Sequence, residues 1–415
     1  MKDKNENICI ISQYYPPDNA SDSVRLIKVI KSLKSNGFKI TVVTAFPHYP
    51  DGKIPTKYKK KFLVREKWDD VDVIRTYVPP LPHNGLLKRF LIHISFTFSA
   101  LIALFYLEKI KIIYAFSQKF FSYITGILYK LVLRAPLILD VVDIWPEAIV
   151  NAGIIKKNKK TLLKIIRFPL KIFYNMSDKL ITLTEAMKEL LVTTAHLKSS
   201  KISILPIVTY PDKFKPTKLK KRAHNNKFNI IYSGNLGVIY DFQNLLKTAF
   251  NLKNYKDIQF IIKGTGDERI KSFLHQYIKI NKLKNVHFNE EFLNSQEFIK
   301  FLNLADAFVL PMKKCPFPDA SFPSKLIDYL TFGKPVIYSG EGYIANLIND
   351  LELGIITIPG SPQDLSKAIL YLKKNEEIKN KMGENARKAV KQLFSPQILD
   401  QKVKEIFKNL IYKIN

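Results

Sequence analysis

Short β-branched runs alternate with longer helical patterns over residues 1–209, and the alternation starts afresh at residue 228. No other feature constrains the fold as strongly. Strands separated by helices pair in parallel, so each series calls for a parallel sheet covered by helices on both faces. The first series predicts strands at 8–12, 40–44, 73–77, 112–116, 137–142, 180–183 and 202–205, with helices near 22–35, 86–107, 119–133, 161–176 and 185–195. The second predicts strands at 229–233, 258–262, 286–288, 307–310 and 335–338, with helices near 241–252, 267–281, 294–304 and 324–331. Residues 210–227 between them are polar, basic and broken by Pro216, which marks a linker. The expected organisation is a domain at 1–209, the linker at 210–227, a second domain at 228–394 and a helix at 395–415. That helix, with Leu399, Val403, Ile406, Phe407 and Leu410 at helical spacing, is expected to pack back toward the first domain. The expected fold class is α/β, two doubly wound Rossmann-like domains facing across a cleft. Open α/β sheets bind ligands outside the carboxyl ends of their strands, so the cleft is the expected site.

With 47% apolar and 25% charged residues among 415, the chain is long and apolar enough for two or three cored domains, which excludes general disorder. Its formal charge of +30 calls for a polyanionic partner: nucleic acid, an anionic membrane face or a phosphorylated ligand. The charge is not segregated, since residues 1–200 hold 32 basic and 16 acidic side chains and the remainder 34 and 20. With no aromatic-basic recognition motif either, a nucleic-acid partner is not expected. Cys9 and Cys315 are far apart and support neither a disulfide framework nor a zinc site, which fits a reducing compartment. The N-terminus lacks the order of a signal peptide. Residues 90–107 carry no formal charge and would make a helix of about 27 Å, at the lower limit for crossing a bilayer. Spanning the membrane, lying in its interface and burial within the domain all remain open for this segment.

The stretch Pro316–Gly340, PFPDASFPSKLIDYLTFGKPVIYSG, is the most informative. A Pro-bounded loop leads to Ser324 as helix N-cap, Lys325 and Asp328 in the first turn, and Gly333 as the stop. Such a helix start can take an anion, with Lys325 adding charge; an ordinary capped helix has the same form. Two more turns follow strands, Lys263-Gly264-Thr265-Gly266 and Ser233-Gly234-Asn235-Leu236-Gly237, and each can bring amides near a phosphate. In the first half, Asp143 stands at a strand end, as an active-site carboxylate or as the N-cap before Trp145-Pro146. His48 lies in a Pro-bounded loop, and Arg25 either pairs with Asp22 or faces the cleft.

Taken together, SQYYPP with Arg25, TAFPHYPDGKI, LDVVDIWPEAIVNAG, LITLTEAM, YSGNLG, KGTGDE and PSKLIDYLTFGKPVI resemble the retaining nucleotide-sugar glycosyltransferases of the GT-B fold. Within their large family four, the likeness is to the branch that assembles O-antigen and capsule chains, including N-acetylfucosaminyl transferases. Several positions depart from the family pattern. Two glutamates with seven residues between them in many members correspond here to Ala320 and Asp328, with Asp319 the carboxylate next to the first place. The Arg and Lys that usually clamp the donor diphosphate correspond to Asn235 and Tyr240. The glycine-rich turn of the first domain corresponds to Asn19-Ala20-Ser21-Asp22, and a common His to Val142.

The resemblance implies a sugar transferase acting from a nucleoside-diphosphate sugar onto a lipid-linked or growing polysaccharide acceptor, with retention of configuration, no cofactor and no metal. It implies catalytic roles for Asp143 and Arg25, and donor contacts from Gly234, Asn235, Gly237, Lys263, Gly264, Ser324, Lys325 and Asp328. His48 is expected at the acceptor. Lys156, Lys157, Lys159 and Lys160 open a run with Lys164, Arg167 and Lys171 that holds no acid, and they are expected to dock the first domain on an anionic membrane surface. The expected location is cytoplasmic, peripheral on the inner face of the cell membrane. A sugar-nucleotide epimerase of similar fold and a basic nucleic-acid-binding protein are the alternatives.

Overall fold

The computed structural model describes residues 6–18, 20–83, 85–117, 121–211, 227–291 and 293–412. Most of the linker expected at 210–227 lies outside them, as do Asn19 and the side chains of Ser21 and Asp22. The chain divides into two units. The first comprises residues 1–146, 160–207 and 396–415, and the second 147–159 and 208–395.

The first unit is built on β1 (Asn7–Ile11), α1 (Ser21–Ser35), β2 (Lys39–Ala45), β3 (Leu63–Trp68), β4 (Val71–Thr76), α2 (Leu86–Ile102), β5 (Ile110–Ser117), α3 (Phe121–Leu133) and β6 (Leu137–Val141). After the excursion to α4 (Glu147–Asn151), it continues with α5 (Lys160–Met176), β7 (Lys179–Thr182), α6 (Glu185–Ala195) and β8 (Ile202–Ile204). Its sheet runs β3-β4-β2-β1-β5-β6-β7-β8. All pairings are parallel except β3 with β4. The sequence reading had no strand at β3, because LVREKW carries three charged residues in succession, which a half-solvated edge strand tolerates but which hides the strand pattern. Asp69 and Asp70, both at positive φ, make the tight turn from β3 into β4.

The second unit holds β9 (Phe228–Ser233), α7 (Phe242–Asn251), β10 (Ile258–Lys263), α8 (Glu268–Ile280), β11 (Val286–Asn289), α9 (Ser295–Asn303) and β12 (Ala307–Pro311). It continues through α10 (Lys325–Thr331), β13 (Val336–Ser339), α11 (Tyr343–Asp350), β14 (Gly354–Thr357), α12 (Pro362–Lys374) and α13 (Glu376–Leu393). The order β11-β10-β9-β12-β13-β14 is parallel throughout. The chain leaves β9 toward β10 and β11, then returns to build β12 on the other side. This reversal splays the loops apart at the carboxyl end of β9, where such sheets take ligands.

The last helix, α14 (Pro396–Tyr412), joins the first unit and packs on α1. Phe407 lies 5.5 Å from Tyr114 and 6.2 Å from Phe38, ring centre to ring centre. Conversely, Glu147–Lys159 belongs to the second unit, although the sequence reading kept it in the first.

Helix α2 is neither fully buried nor free. Leu87–Tyr106 is long and apolar enough to cross a membrane by length and composition. Yet Ile92, Phe96, Ala100 and Ala103 are buried, His93 bonds the Gln13 amide, and Ser99 donates to Thr76 at 3.1 Å. These polar side chains tie one face to the sheet and explain why they interrupt an apolar run. The other face leaves Phe90, Phe98, Ile102 and Phe105 exposed.

Candidate active site

The donor-side residues expected from the sequence converge at the carboxyl end of β9. Gly234, at φ +128°, is occupied from above by Lys325: a Cβ there would stand 2.2 Å from Lys325 Cε. The Lys325 ammonium donates to the Tyr240 hydroxyl at 3.0 Å and lies 4.6 Å from the centre of that ring. Tyr329 fixes this arrangement. Its hydroxyl accepts from Ser233 N at 2.8 Å and donates to Ser233 O at 3.0 Å, while its ring stacks on Phe308 at 4.2 Å. Tyr329 thereby fastens α10 to β9 and holds Lys325, one turn earlier, over Gly234.

The two glycine turns are bonded to one another. Gly234 N donates to Lys263 O at 2.9 Å and Leu236 N to Thr265 O at 2.9 Å. Gly264 lies against Gly234, where a Cβ would meet the Gly234 carbonyl oxygen at 1.9 Å. Asn235 is exposed at the tip, its carbonyl accepting from the Tyr232 hydroxyl at 2.6 Å, and Gly237 O accepts from Tyr240 N at 3.2 Å.

Three expectations change. Lys263 is buried and spends its ammonium on Asn289 Oδ1 at 2.9 Å, so it does not join Lys325. Ser324 occupies the N-cap position without capping: its backbone is already helical and its side chain makes no cap bond. Leu326 N and Ile327 N donate to Pro323 O and Ser324 O, and the seven-residue helix presents no array of free amides to an anion. Asp319, next to the place of the absent glutamate, is committed to Tyr343 N at 2.7 Å at the start of α11. Asp328 is half-buried on α10.

The segment that enters the second unit reaches the same loop. Asn151 at the end of α4 donates to Phe317 O at 2.5 Å and accepts from Phe317 N at 3.2 Å, and Lys157 lies 5.4 Å from the Phe317 ring centre. Nothing in the sequence reading singled out Asn151; its two-way bond to a loop 166 residues away has no local signature. The basic run is consequently divided. Lys156, Lys157 and Lys159 are exposed on the second unit, whereas Lys160 opens α5 in the first.

In the first unit, Asp143 follows β6 and is half-buried, and desolvation pushes its carboxyl up to about 6. The N-cap alternative is not realised, because α4 begins only at Glu147. The Asp22 side chain, the other expected partner of Arg25, lies outside the described residues, and Arg25 does not face solvent. It is 8% exposed, with Nη1 2.5 Å from Asp140 Oδ2, Nη2 donating to Leu205 O at 3.1 Å and the guanidinium over the Phe116 ring. Tyr114 also bonds Asp140. This buried pair ties α1 to β6, which corrects the catalytic expectation for Arg25 to a structural one.

His48 is buried in a ring cluster with Tyr14, Tyr49 and His83 at the carboxyl ends of β1 and β2. Its Nδ1 lies 2.7 Å from Phe46 O, an acceptor only, so Nδ1 carries the proton and Nε2 is a buried acceptor. Burial lowers its pKa to about 4, so the imidazole is neutral at pH 7. Asp18, unremarked in the sequence reading, accepts from His48 N and Tyr49 N at 3.1 Å each. Burial nevertheless pushes its carboxyl up to about 6 against the pull of those amides and of Arg75. Among the described residues, no group of three or more His, Cys, Asp or Glu side chains is placed to hold a metal ion.

Comparison with known proteins agrees with this architecture. Residues 23–207 match the family model described as Glycosyltransferase Family 4, and residues 214–389 the model described as Glycosyl transferases group 1. The chain is similar to the capsular polysaccharide biosynthesis glycosyltransferase CapM of Staphylococcus aureus, 24% identical over 249 residues, covering 56% of this chain and 62% of that protein. It spans 42–62% of the length of the first curated relatives it matches. Among solved structures it is similar to the sucrose-phosphate synthase of Thermosynechococcus elongatus, with TM-score 0.76, 15% identity and coverage of 98% and 100% of the two chains. It is also similar to Anabaena HepE, solved in complex with UDP and glucose, with TM-score 0.69, 17% identity and coverage of 97% and 99%. The chain therefore has the fold and both domains of the GT-B glycosyltransferases.

Proposed function

We propose that this chain is a retaining, nucleotide-sugar-dependent glycosyltransferase that extends a lipid-linked saccharide in the assembly of a cell-surface polysaccharide. The observation that carries the reading is the seat of Lys325 over Gly234, at the point where the second sheet reverses direction. An ammonium held against a glycine backbone by a tyrosine hydroxyl is a charge left for a ligand, and a diphosphate matches it. In this reading Asn235 and the turn amides meet the remaining phosphate oxygens, and Asp328 accepts from a ribose hydroxyl. Asp143 orients the acceptor hydroxyl. The diphosphate leaves from the face on which the acceptor arrives and its oxygen takes the acceptor proton, so the anomeric configuration is retained. The protein's part is positioning and stabilisation of the separated charge. The similarity to CapM supports a polysaccharide context, and the UDP bound by HepE supports a nucleotide donor.

The same reading places the enzyme on the inner face of the cytoplasmic membrane through the first unit. Helix α5 exposes Ile165, Phe168 and Ile172 among Lys160, Lys164, Arg167 and Lys171, while α3, which contacts both α2 and α5, exposes Leu131 and Val132. Each basic side chain near an anionic surface contributes about 1 kcal/mol, and the apolar residues add interfacial burial.

Thermal unfolding with a panel of UDP-, GDP- and TDP-sugars tests the donor. A fitting donor at a hundred times its Kd stabilises by about 2.7 kcal/mol, and no shift with any nucleotide sugar would overturn the reading. NMR of the anomeric proton in the product decides retention. Sedimentation with anionic liposomes, with and without Lys160→Glu, Lys164→Glu and Lys171→Glu, tests docking; equal binding by the two proteins would reject the electrostatic part.

A further inference from the structure

Between the end of β2 and the start of β3 the first unit forms a cavity of about 790 Å³ with an apolar floor and a cationic rim. The volume falls within the roughly 300–1,000 Å³ usual for small-molecule sites. The floor is Phe46, Tyr58, Phe62, Tyr77 and Pro80; the rim is Lys53, Lys59, Lys60 and Lys61, and no carboxylate lines it.

The local sequence builds this shape. Gly52, at φ +74°, runs against the Leu81 backbone, where a Cβ would meet the carbonyl carbon at 2.3 Å, so the loop is drawn tightly across the sheet end. Tyr58 is driven inward, stacks on Phe46 at 5.0 Å and donates to Glu66 at 2.9 Å. The turn that buries Tyr58 leaves its flanking lysines outside. Lys60 takes positive φ, and Phe62 remains 70% exposed with its ring 5.6 Å from Tyr77. Glu66, the acid on the adjoining strand, is consumed by Arg75 at 2.5 Å, Lys57 at 3.2 Å and Tyr58. The rim charge is therefore not neutralised from below.

An apolar floor beside four lysines fits neither a free sugar nor a free anion. It fits an amphiphile with a hydrocarbon chain and a phosphorylated head. We propose that this cavity binds a lipid diphosphate, one molecule at a time, with the chain on Phe46, Phe62 and Tyr77 and the diphosphate among Lys53, Lys59, Lys60 and Lys61. The inference deepens the transferase reading and rests on it: such a molecule is the carrier on which a lipid-linked acceptor would be built. Helix α2, whose outer aromatic face is the apolar surface described above, begins nine residues after Tyr77 of the cavity lining.

Titration with farnesyl diphosphate in detergent below its critical concentration, followed by calorimetry, tests the site. Pyrophosphate and farnesol serve as half-ligands. Farnesyl diphosphate should bind at least about tenfold more tightly than either half, and the triple variant Lys59→Gln, Lys60→Gln, Lys61→Gln should lose about tenfold or more. A second triple variant, Lys279→Gln, Lys282→Gln, Lys284→Gln, removes the same charge from exposed positions in the second unit and should bind unchanged. Equal binding of pyrophosphate and farnesyl diphosphate, equal loss in both triple variants, or no loss in the first would each overturn the proposal. Sugar transfer to a water-soluble acceptor without farnesyl diphosphate binding would sink this site and spare the transferase reading. Binding here without nucleotide-sugar binding would do the reverse.

Discussion

Lys325 gives a hydrogen bond to Tyr240 at 3.0 Å while lying 4.6 Å from the centre of the same ring. The contact positions the ammonium through a hydroxyl oxygen rather than through a carboxylate. Lys325, the first residue of α10, thus brings a cation to Tyr240, one of the two positions where the resemblance leads one to expect a basic residue.

Removing that ammonium should weaken donor binding. A charge-assisted hydrogen bond is worth about 1.5–3 kcal/mol, so Lys325→Ala should raise the donor Kd roughly tenfold or more with the melting temperature nearly unchanged. Gly234→Ala should act in the same direction, since the new methyl occupies the place of Lys325 Cε. Asp328→Asn should be milder. Calorimetry with the donor identified above measures all three, and an unchanged Kd in folded Lys325→Ala removes this residue from the site.

Arg25 should behave as a structural ion. Taking one partner from a buried pair strands the other, at about 3–5 kcal/mol. Arg25→Met should therefore lower stability by that order, and adding Asp140→Leu should recover much of it. Denaturant unfolding reads both; full stability with lost turnover would instead return Arg25 to catalysis.

The acid limb of the reaction should report Asp143. If its carboxylate orients the acceptor, kcat/KM should fall below a pH of about 6, where desolvation has moved its titration. Asp143→Asn should show low turnover without that limb and with donor Kd unchanged. A limb near 6 that survives the substitution points to Asp18, a further carboxyl pushed up to about 6.

Asp18 and His48 should bias stability in opposite directions across the same pH range. His48 titrates near 4 when folded against 6.5 for an ordinary histidine, so its contribution is present above 6.5 and lost as pH falls toward 4. Asp18 titrates near 6 against 3.8, so its contribution is present below 3.8 and lost as pH rises toward 6. The two slopes oppose one another in the wild type. His48→Asn keeps a donor for Phe46 O but does not titrate, so relative to wild type it should gain stability as pH drops from 6.5 to 4. Urea midpoints at a series of pH values give the comparison, and parallel profiles would contradict it.

Asn151 should hold the 315–320 loop for the donor. Asn151→Ala breaks two hydrogen bonds to Phe317, about 1 kcal/mol each, and should raise the donor KM more than it lowers kcat. A change in kcat alone would point to another role.

Much of this fold could be read in advance because its strands are buried on both faces. β1, β2 and β6 show as short β-branched and apolar runs, and their helices as stripes. What escaped reading was held by different forces. The β3 edge is half wet, so its pattern is mixed. Arg25 was expected at the site on the strength of the resemblance, and nothing near it in sequence records its partner, Asp140, which lies 115 residues away. The two glycine turns were legible because Gly234 and Gly264 meet at a distance that tolerates no side chain. Ser324 misled because its residue type favours capping while its backbone turns a residue too early. Asn151 was invisible, since nothing near it in sequence records a bond to Phe317.

Helix α14 has a consequence for how the protein is made. It is translated after both sheets, yet it lies on α1, among the earliest elements. While the second unit is being synthesised, Phe38 and Tyr114 must await Phe407, and the nascent first half keeps an open seam facing water. A cut in the linker therefore does not release a finished first domain. A truncation before residue 396 leaves that seam bare for the life of the molecule, where it becomes a place for chaperones or for other unfinished chains to adhere.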